Sequence, residues 1–321
     1  MRGAEGALLW RARALLAGVL LCLAPIISAS ELAILTGGTS GVYYPIGQQL
    51  EVLLEEAIPE HRFRVVSTQA SVENLNLLQR GAGVLALAQG DTLADAWAGR
   101  QEAGFAAARH RIRLVGAAYP DFIHLLARKD SGIAALEDLA GKRVSVGASR
   151  SGTEISARAI LGAAGLSYAD LLQVEYLHYG ESVEQLVSGE LDAVIISAGL
   201  GVAAVGEAAR RTAVLFVPIP PNIMTASTRF QPIAIPPGSY PGQVVAVPTA
   251  ALNNFFVTSA DLSEALVYRI TRAIYDNLDR IHVVHPAARA ISLERALAIR
   301  PVEVHPGALR YFRELGLAES P

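Results

Sequence analysis

Two short stretches of glycine and hydroxyl residues carry the chemistry of this chain. The first is Gly37-Gly38-Thr39-Ser40-Gly41, followed by Val42-Tyr43-Tyr44-Pro45; the second is Ser149-Arg150-Ser151-Gly152-Thr153-Glu154. Glycine lets backbone N–H groups come close to a ligand, and a helix start adds partial positive charge. A strand, a Gly/Ser/Thr loop and a helix start in succession therefore suit an anionic group. Neither stretch ends in the Gly-Lys-Ser/Thr of a phosphate loop, and neither is G-x-G-x-x-G. One such loop alone reads as an ordinary tight βα turn. Two in one chain point to a ligand with two polar ends.

The flanking sequence supplies elements that position these loops. An apolar run over 32–35 reads as a buried strand leading into the first loop. After it, Val42, Ile46, Leu50, Leu53, Leu54 and Ala57 recur at helical spacing, and Pro45 belongs in a first turn. Strands are expected over 64–68, 83–88, 114–118 and 122–128, with a helix capped by Ser71 and another over 92–99. Gln89 stands at the end of the third strand. The pattern restarts with a strand over 144–147, the second loop, and a helix with Ser151 and Glu154 as its capping box. Strands follow over 174–177 and 193–196, the latter running into Ser197, with a helix cap signal at Ser182 between them. Alternating strands and helices indicate βαβ units and mainly parallel sheets. In open α/β sheets ligands lie beyond the carboxyl ends of the strands. Two such ends facing each other form a cleft for a small acid.

The remainder of the chain is less regular. The segment 218–248 is rich in proline and lacks periodicity, which marks a functional or linking loop. Its Tyr240 either closes over the cleft or packs within a covering loop. A further strand is expected over 250–257, a long helix over 262–278, and shorter helices over 292–299 and 307–315.

Arg2, Arg11 and Arg13 precede an apolar run over 14–27 that is short for a membrane span and ends in Ser28-Ala29-Ser30. Residues 1–30 therefore read as a cleavable signal peptide, with an uncleaved anchor as the alternative. Cys22, the only cysteine, leaves with it, so no disulfide and no Cys-based site is expected. Without Arg2, Arg11, Arg13 and Glu5 the chain keeps 24 basic and 29 acidic residues. A net charge near −5 gives no electrostatic footprint for nucleic acid.

Enzyme readings find little support. The seven histidines lack His/Asp/Glu neighbours at metal-ligand spacing, so no metal and no cofactor is expected. Gly38-Thr39-Ser40-Gly41 is one residue too short for a nucleophile elbow. His178, at a strand end, is the one histidine retained as a candidate pocket wall. Arg150 is either the counter-charge of a ligand carboxylate or a solvent-facing arginine at a helix start.

Taken together, TGGTSGVYYPIG (36–47), STQASVENLNLL (67–78), ALAQGD (86–91), KDSGIAALEDLAGKRVSVGASRSGT (129–153), GSYPGQ (238–243) and HPGALRYFRELGL (305–317) resemble the TAXI family of TRAP-transporter solute receptors. The resemblance covers nearly all of the chain after residue 30. It implies an α/β, type II-like periplasmic binding protein: two mainly parallel sheets with a ligand cleft between them, no catalysis, and a small organic acid as ligand. Glutamate, glutamine and 2-oxoglutarate are the solutes associated with the family. By the same resemblance the ligand contacts are Gly38, Thr39, Ser40, Tyr43, Gln89, Ser151, Gly152 and Thr153. Arg150, Ser197, Tyr43 and Tyr240 are further candidates from the residues themselves. The chain departs from the family pattern at Gln89-Gly90-Asp91, where Gln-Ser-Asp is common, and at Ser149-Arg150, where Pro-Gly is common.

The expected organisation is domain I over 31–124 plus 252–321 and domain II over 125–251, joined by crossing strands near 122–128 and 250–257. The expected function is capture of a small carboxylate by hinge closure and delivery, by a periplasmic monomer, to a TRAP-type permease. An input protein for a signalling partner is the alternative.

Overall fold

The computed structural model describes residues 31–225 and 229–319. The signal-peptide reading of residues 1–30 lies outside the described residues.

Strands β1 (Glu31–Leu35), β2 (Arg62–Val66) and β3 (Leu85–Gln89) run parallel in the order β2-β1-β3. Parallel neighbours need crossovers. Here α1 (Tyr43–Ala57) and α2 (Ser71–Gln79) supply them, and α3 (Gly90–Ala98) follows β3. α1 buries Ile46, Leu50, Leu53 and Leu54, the stripe expected from its spacing, and Pro45 sits in its first turn. β3 is buried along its whole length, as a covered parallel strand must be.

A second parallel set has the order β7-β5-β6: β5 (Arg143–Ser145), β6 (Gln173–Glu175) and β7 (Ala193–Gly199). Its helices are α4 (Gly152–Ala163), α5 (Tyr179–Ser188) and α6 (Ala203–Arg211).

Two long strands join the sets, β4 (Ile112–Arg128) and β10 (Val247–Ser259). β10 pairs antiparallel with β3 and β4, and β4 pairs antiparallel with β7. The two sheets are therefore continuous, in the order β2-β1-β3-β10-β4-β7-β5-β6, with β8 (Val214–Phe216) on β4 and β9 (Gln231–Ile235) on β10. The parallel halves are as expected; what differs is that antiparallel crossing strands fuse them into one mixed sheet.

Other elements also differ from expectation. β4 is one strand rather than two split at Tyr119-Pro120. Pro120 stands opposite Asn253, beside a register shift between Asn253 and Phe255, and a bulge tolerates a residue without an N–H. The proline-rich segment contains a short helix, α7 (Pro221–Thr225), as well as β9. The expected long helix over 262–278 is two, α8 (Glu264–Tyr275) and α9 (Leu278–His282). Between them the Asn277 amide donates to Ala273 O at 2.9 Å, turning the chain. Residues 292–299 form turns rather than a helix, and Ala296 O accepts from Ala117 N at 2.8 Å, bracing β4. The chain closes with α10 (Pro306–Glu314), whose His305 caps it through Nδ1 to Gly307 N.

Candidate functional site

The carboxyl ends of β1 and β3 and the middle of β4 face those of β5 and β7 around one cavity, with about 50 Å³ of water-accessible space. At roughly 10–15 Å³ per water-sized group, this arrangement encloses a group of a few heavy atoms. The starts of α1, α2, α4 and α5 all contribute to its wall, through Val42 and Tyr43, Ala70 and Ser71, Ser151 to Thr153, and His178 and Tyr179. Helix starts leave backbone N–H groups without intrahelical partners. Ser151 Oγ accepts from Glu154 N at 3.1 Å, and Gly152 and Thr153, ahead of it, lie at the cavity wall.

The loops are held from behind. Asn74 is wholly buried, and its Nδ2 donates to Thr36 O at 2.6 Å and Leu87 O at 2.9 Å, tying the ends of β1 and β3 together. Ser67 Oγ donates to Gly37 O at 2.9 Å, and Gly41 N closes a tight turn on Gly38 O at 3.0 Å. Ala70, at the start of α2, has φ 72°, a strained conformation for a residue with a Cβ.

Contacts cross the cavity from one parallel set to the other. Ser40 Oγ accepts from Gly180 N at 3.1 Å. Gln89 Nε2 donates to Ser197 Oγ at 2.6 Å and to Asp121 Oδ2 at 2.7 Å. Within the second set, Thr153 Oγ1 bonds Tyr179 Oη at 2.7 Å, and Tyr179 in turn donates to Ser197 O at 2.6 Å. A further set of bonds links the halves outside this cavity. Arg229 grips Asp95 with both terminal nitrogens, at 2.7 and 2.9 Å, and Ser156 Oγ reaches Asp91 Oδ2 at 3.3 Å. Burial lifts the carboxyl of Asp91 to about 6.

At the floor of the cavity is Asp121, 2% exposed. Burial pushes its carboxyl up to about 7, against the opposing pull of the bond from Gln89. Oδ1 of Asp121 and Oε1 of Gln89 are buried without a hydrogen-bond partner. Asn254 stands opposite a bulge in β4 and points inward: it accepts from the Tyr43 hydroxyl, and its Nδ2 donates to Tyr119 O at 3.1 Å. Among the described residues lining the cavity there is no lysine or arginine, and Asp121 is the only carboxylate.

Of the residues singled out from sequence, Gly38, Ser40, Tyr43, Gln89, Ser151, Gly152, Thr153 and Ser197 meet at this cavity, as does His178. Thr39, Arg150 and Tyr240 do not line it. Arg150 is exposed and left-handed at φ 62°, and it is the carbonyl, accepting from Glu73 N at 3.3 Å, that bridges the halves. Tyr240 is buried elsewhere, stacked on Phe216, with its hydroxyl accepting from Gly201 N at 2.8 Å. His124 directs Nδ1 at Ile196 O, so its Nε2 accepts from Tyr240 Oη at 2.9 Å. Burial lowers the His124 pKa to about 4, so the ring is neutral. Asp121, Tyr119, Ser71, Tyr179 and the supporting Asn254 were not found from sequence. Asp121 lies in the gap between the strands expected over 114–118 and 122–128, and only its burial beside Gln89 sets it apart.

Two parallel α/β halves, two crossing strands and a cavity at facing strand ends define a two-domain fold like that of periplasmic binding proteins. XAC2383 from Xanthomonas citri, solved with ATP bound, has a similar fold at 12% identity and TM-score 0.50, over 89% of this chain and 95% of that one. The alkanesulfonate-binding protein SsuA from Xanthomonas axonopodis pv. citri, bound to MOPS, aligns at 18% identity and TM-score 0.47, over 90% and 94%. A histidine kinase sensor domain with similarity to periplasmic binding proteins aligns at 14% identity and TM-score 0.48, over 79% and 93%. The NMT1-like family profile matches residues 34–316, and the chain belongs to that family. No helix among the described residues is long and apolar enough to cross a membrane.

Proposed function

We propose that this protein is a periplasmic solute receptor of the TAXI type, serving a TRAP transporter. It captures a small carboxylate, of the class of glutamate, glutamine or 2-oxoglutarate, without chemical turnover. The observation that carries the reading is the convergence of four helix starts from both parallel sets on one cavity, which offers backbone N–H groups to an anion. Capture proceeds by closure of domain I (31–124 and 252–321) on domain II (125–251), with β4 and β10 as the hinge. The bonds Ser40–Gly180 and Gln89–Ser197 form as the halves meet. The closed receptor, a monomer, then presents a composite surface to a membrane permease.

Thermal melting against L-glutamate, L-glutamine, 2-oxoglutarate, succinate and short keto acids tests this. A ligand at about a hundred times its Kd stabilises by roughly 2.7 kcal/mol, a shift of several degrees. A saturable shift without loss of the solute supports the receptor reading. Consumption of the solute would make the protein an enzyme, and a flat response to every acid would remove small carboxylates as its ligands. Solute uptake that survives deletion of the gene would favour a signalling partner over a permease.

A further inference from the structure

Away from the solute cavity the two parallel sets meet along a second seam. On one side are α3 and the turn over 101–103; on the other are α4 and the residues leading into β9. Arg229 donates from Nη1 to Asp95 Oδ2 at 2.7 Å and from Nη2 to Oδ1 at 2.9 Å, the paired grip of a guanidinium on a carboxylate. Arg158, held by Glu154 on its own helix, extends Nη1 to Glu102 O at 2.5 Å. Ser156 Oγ donates to Asp91 Oδ2 at 3.3 Å. The two ends of the ion pair are anchored in different cores. Leu93 and Ala96 of α3 share a core with Leu75 and Phe105, whereas Phe230, next to Arg229, shares one with Val144 and Ile160. None of the residues bonded across this seam lines the solute cavity. Asp95 also has a partner in its own half: Arg100 Nε lies 3.0 Å from its Oδ1. The Asp95 side chain is 4% exposed, so its charge needs a cation beside it.

We propose that Asp95 is the pivot of a closure latch: Arg100 of its own half holds it when the halves are apart, and Arg229 of the other half joins it when they meet. The inference rests on the receptor reading and adds to it residues remote from the solute that set how firmly the solute is held. Opening that left a bare buried carboxylate would carry a heavy penalty. Arg100 removes that penalty, because it stays with Asp95 whichever way the halves stand, and so the latch can release. Arg229 adds two charge-assisted bonds that only the closed arrangement makes. Apparent affinity follows the fraction of the protein in the closed form, and a bond broken only on opening acts mainly on solute release. The guanidinium of Arg229 is 31% exposed, so water screens part of the gain. The two arginines therefore act in opposite senses. Without Arg229 the closed form loses its bonds across the seam. Without Arg100 only Arg229 meets Asp95, and closure becomes more favourable.

The test compares the full chain with Arg229→Gln and Arg100→Gln by calorimetry and by stopped-flow release kinetics. L-Glutamate, L-glutamine, 2-oxoglutarate and succinate serve as probes, and small-angle scattering gives the radius of gyration of each solute-free protein. Arg229→Gln should weaken a bound probe about three- to thirtyfold, through faster release. Arg100→Gln should hold the same probe as tightly as the unaltered chain or more tightly. A Kd for Arg229→Gln equal to that of the unaltered chain overturns the latch while leaving the receptor reading standing. So does a Kd raised alike by both substitutions, which would make the cluster a support of the fold. If no probe binds, the small-carboxylate reading fails by itself and scattering decides the latch: a larger radius of gyration for Arg229→Gln supports it, and an equal one overturns it. Should Arg229→Gln not fold, Arg229→Lys, which keeps the charge without the paired grip, takes its place under the same criteria.

Discussion

Gly152 is the first residue of α4, and Gln89 ends β3 on the other side of the cavity. A Cβ at Gly152 falls 1.9 Å from Gln89 Oε1, 2.6 Å from its Cδ and 2.8 Å from Ser71 Oγ. Such distances do not occur between real atoms, so in Gly152→Ala the Gln89 side chain must swing away. It then loses its bonds to Asp121 and Ser197. A bond to a charged group contributes about 1.5–3 kcal/mol and a neutral one about 0.5–1.5. The loss is therefore about 2–4 kcal/mol, whereas the gain of up to about 1 kcal/mol from replacing glycine by alanine in a helix acts on the open and closed forms alike. The loss falls on the closed arrangement, because the two residues approach only across the cavity. Ligand affinity should drop by roughly 30- to 900-fold, while the melting temperature without ligand stays level or rises slightly. Calorimetry on an identified solute and melting of the ligand-free protein read the two effects separately. An affinity within about threefold of the unaltered chain would show that Gln89 does not seat on α4 in the bound state. A ligand-free melting temperature lower by several degrees would make the contact part of the fold rather than of closure.

Three further outcomes are expected. Burial raises the Asp121 carboxyl from 3.8 to about 7 in the folded protein, so folding favours the protonated form. Stability contributed by that proton is present at acid pH and is lost as pH rises toward 7, by up to about 4 kcal/mol; ligand-free melting curves of Asp121→Asn should lose this slope, and parallel pH profiles would refute it. Tyr240→Phe leaves Gly201 N without its acceptor and should cost about 1–3 kcal/mol, lowering the melting temperature by several degrees with ligand affinity unchanged; a loss of affinity in calorimetry would return Tyr240 to the binding site. Arg150→Gly removes a side chain held at φ 62° and should stabilise by up to about 1 kcal/mol without altering affinity; a fall of more than about fivefold would mean that the guanidinium reaches the solute.

The type and order of most elements follow from local pattern. The stripe of Ile46, Leu50, Leu53 and Leu54, the Ser151 cap and the uninterrupted apolar runs of β3 and β7 each encode their own conformation within a few residues. The Gly/Ser/Thr loops were legible for the same reason, since a strand end, a tight turn and a helix start are adjacent along the chain. That Ser40, Gln89 and Ser151 to Thr153 contact a ligand is what the resemblance to TAXI receptors implies, and the fold brings them to one cavity.

What sequence alone left undecided depends on partners far away in the chain. Pro120 interrupts a strand by every local rule, yet β4 continues through it with a bulge beside the proline, held by a partner strand about 130 residues later. Tyr240 reads as a loop aromatic until His124, Gly201 and Phe216 are seen around it. Arg150 carries the charge an acid ligand would seem to need, but a left-handed turn sends its side chain to solvent and offers its carbonyl to Glu73 instead. Asp121 is the deepest case: a carboxylate in the break between two expected strands reads as a turn residue, with no periodicity to announce a buried site. Its chemistry comes from burial, from the amide of Gln89 on one oxygen, and from the absence of any protein donor on the other. Local sequence determines conformation because steric and capping effects act over a few residues; the chemistry of a buried charge is set by neighbours that only the tertiary fold brings together.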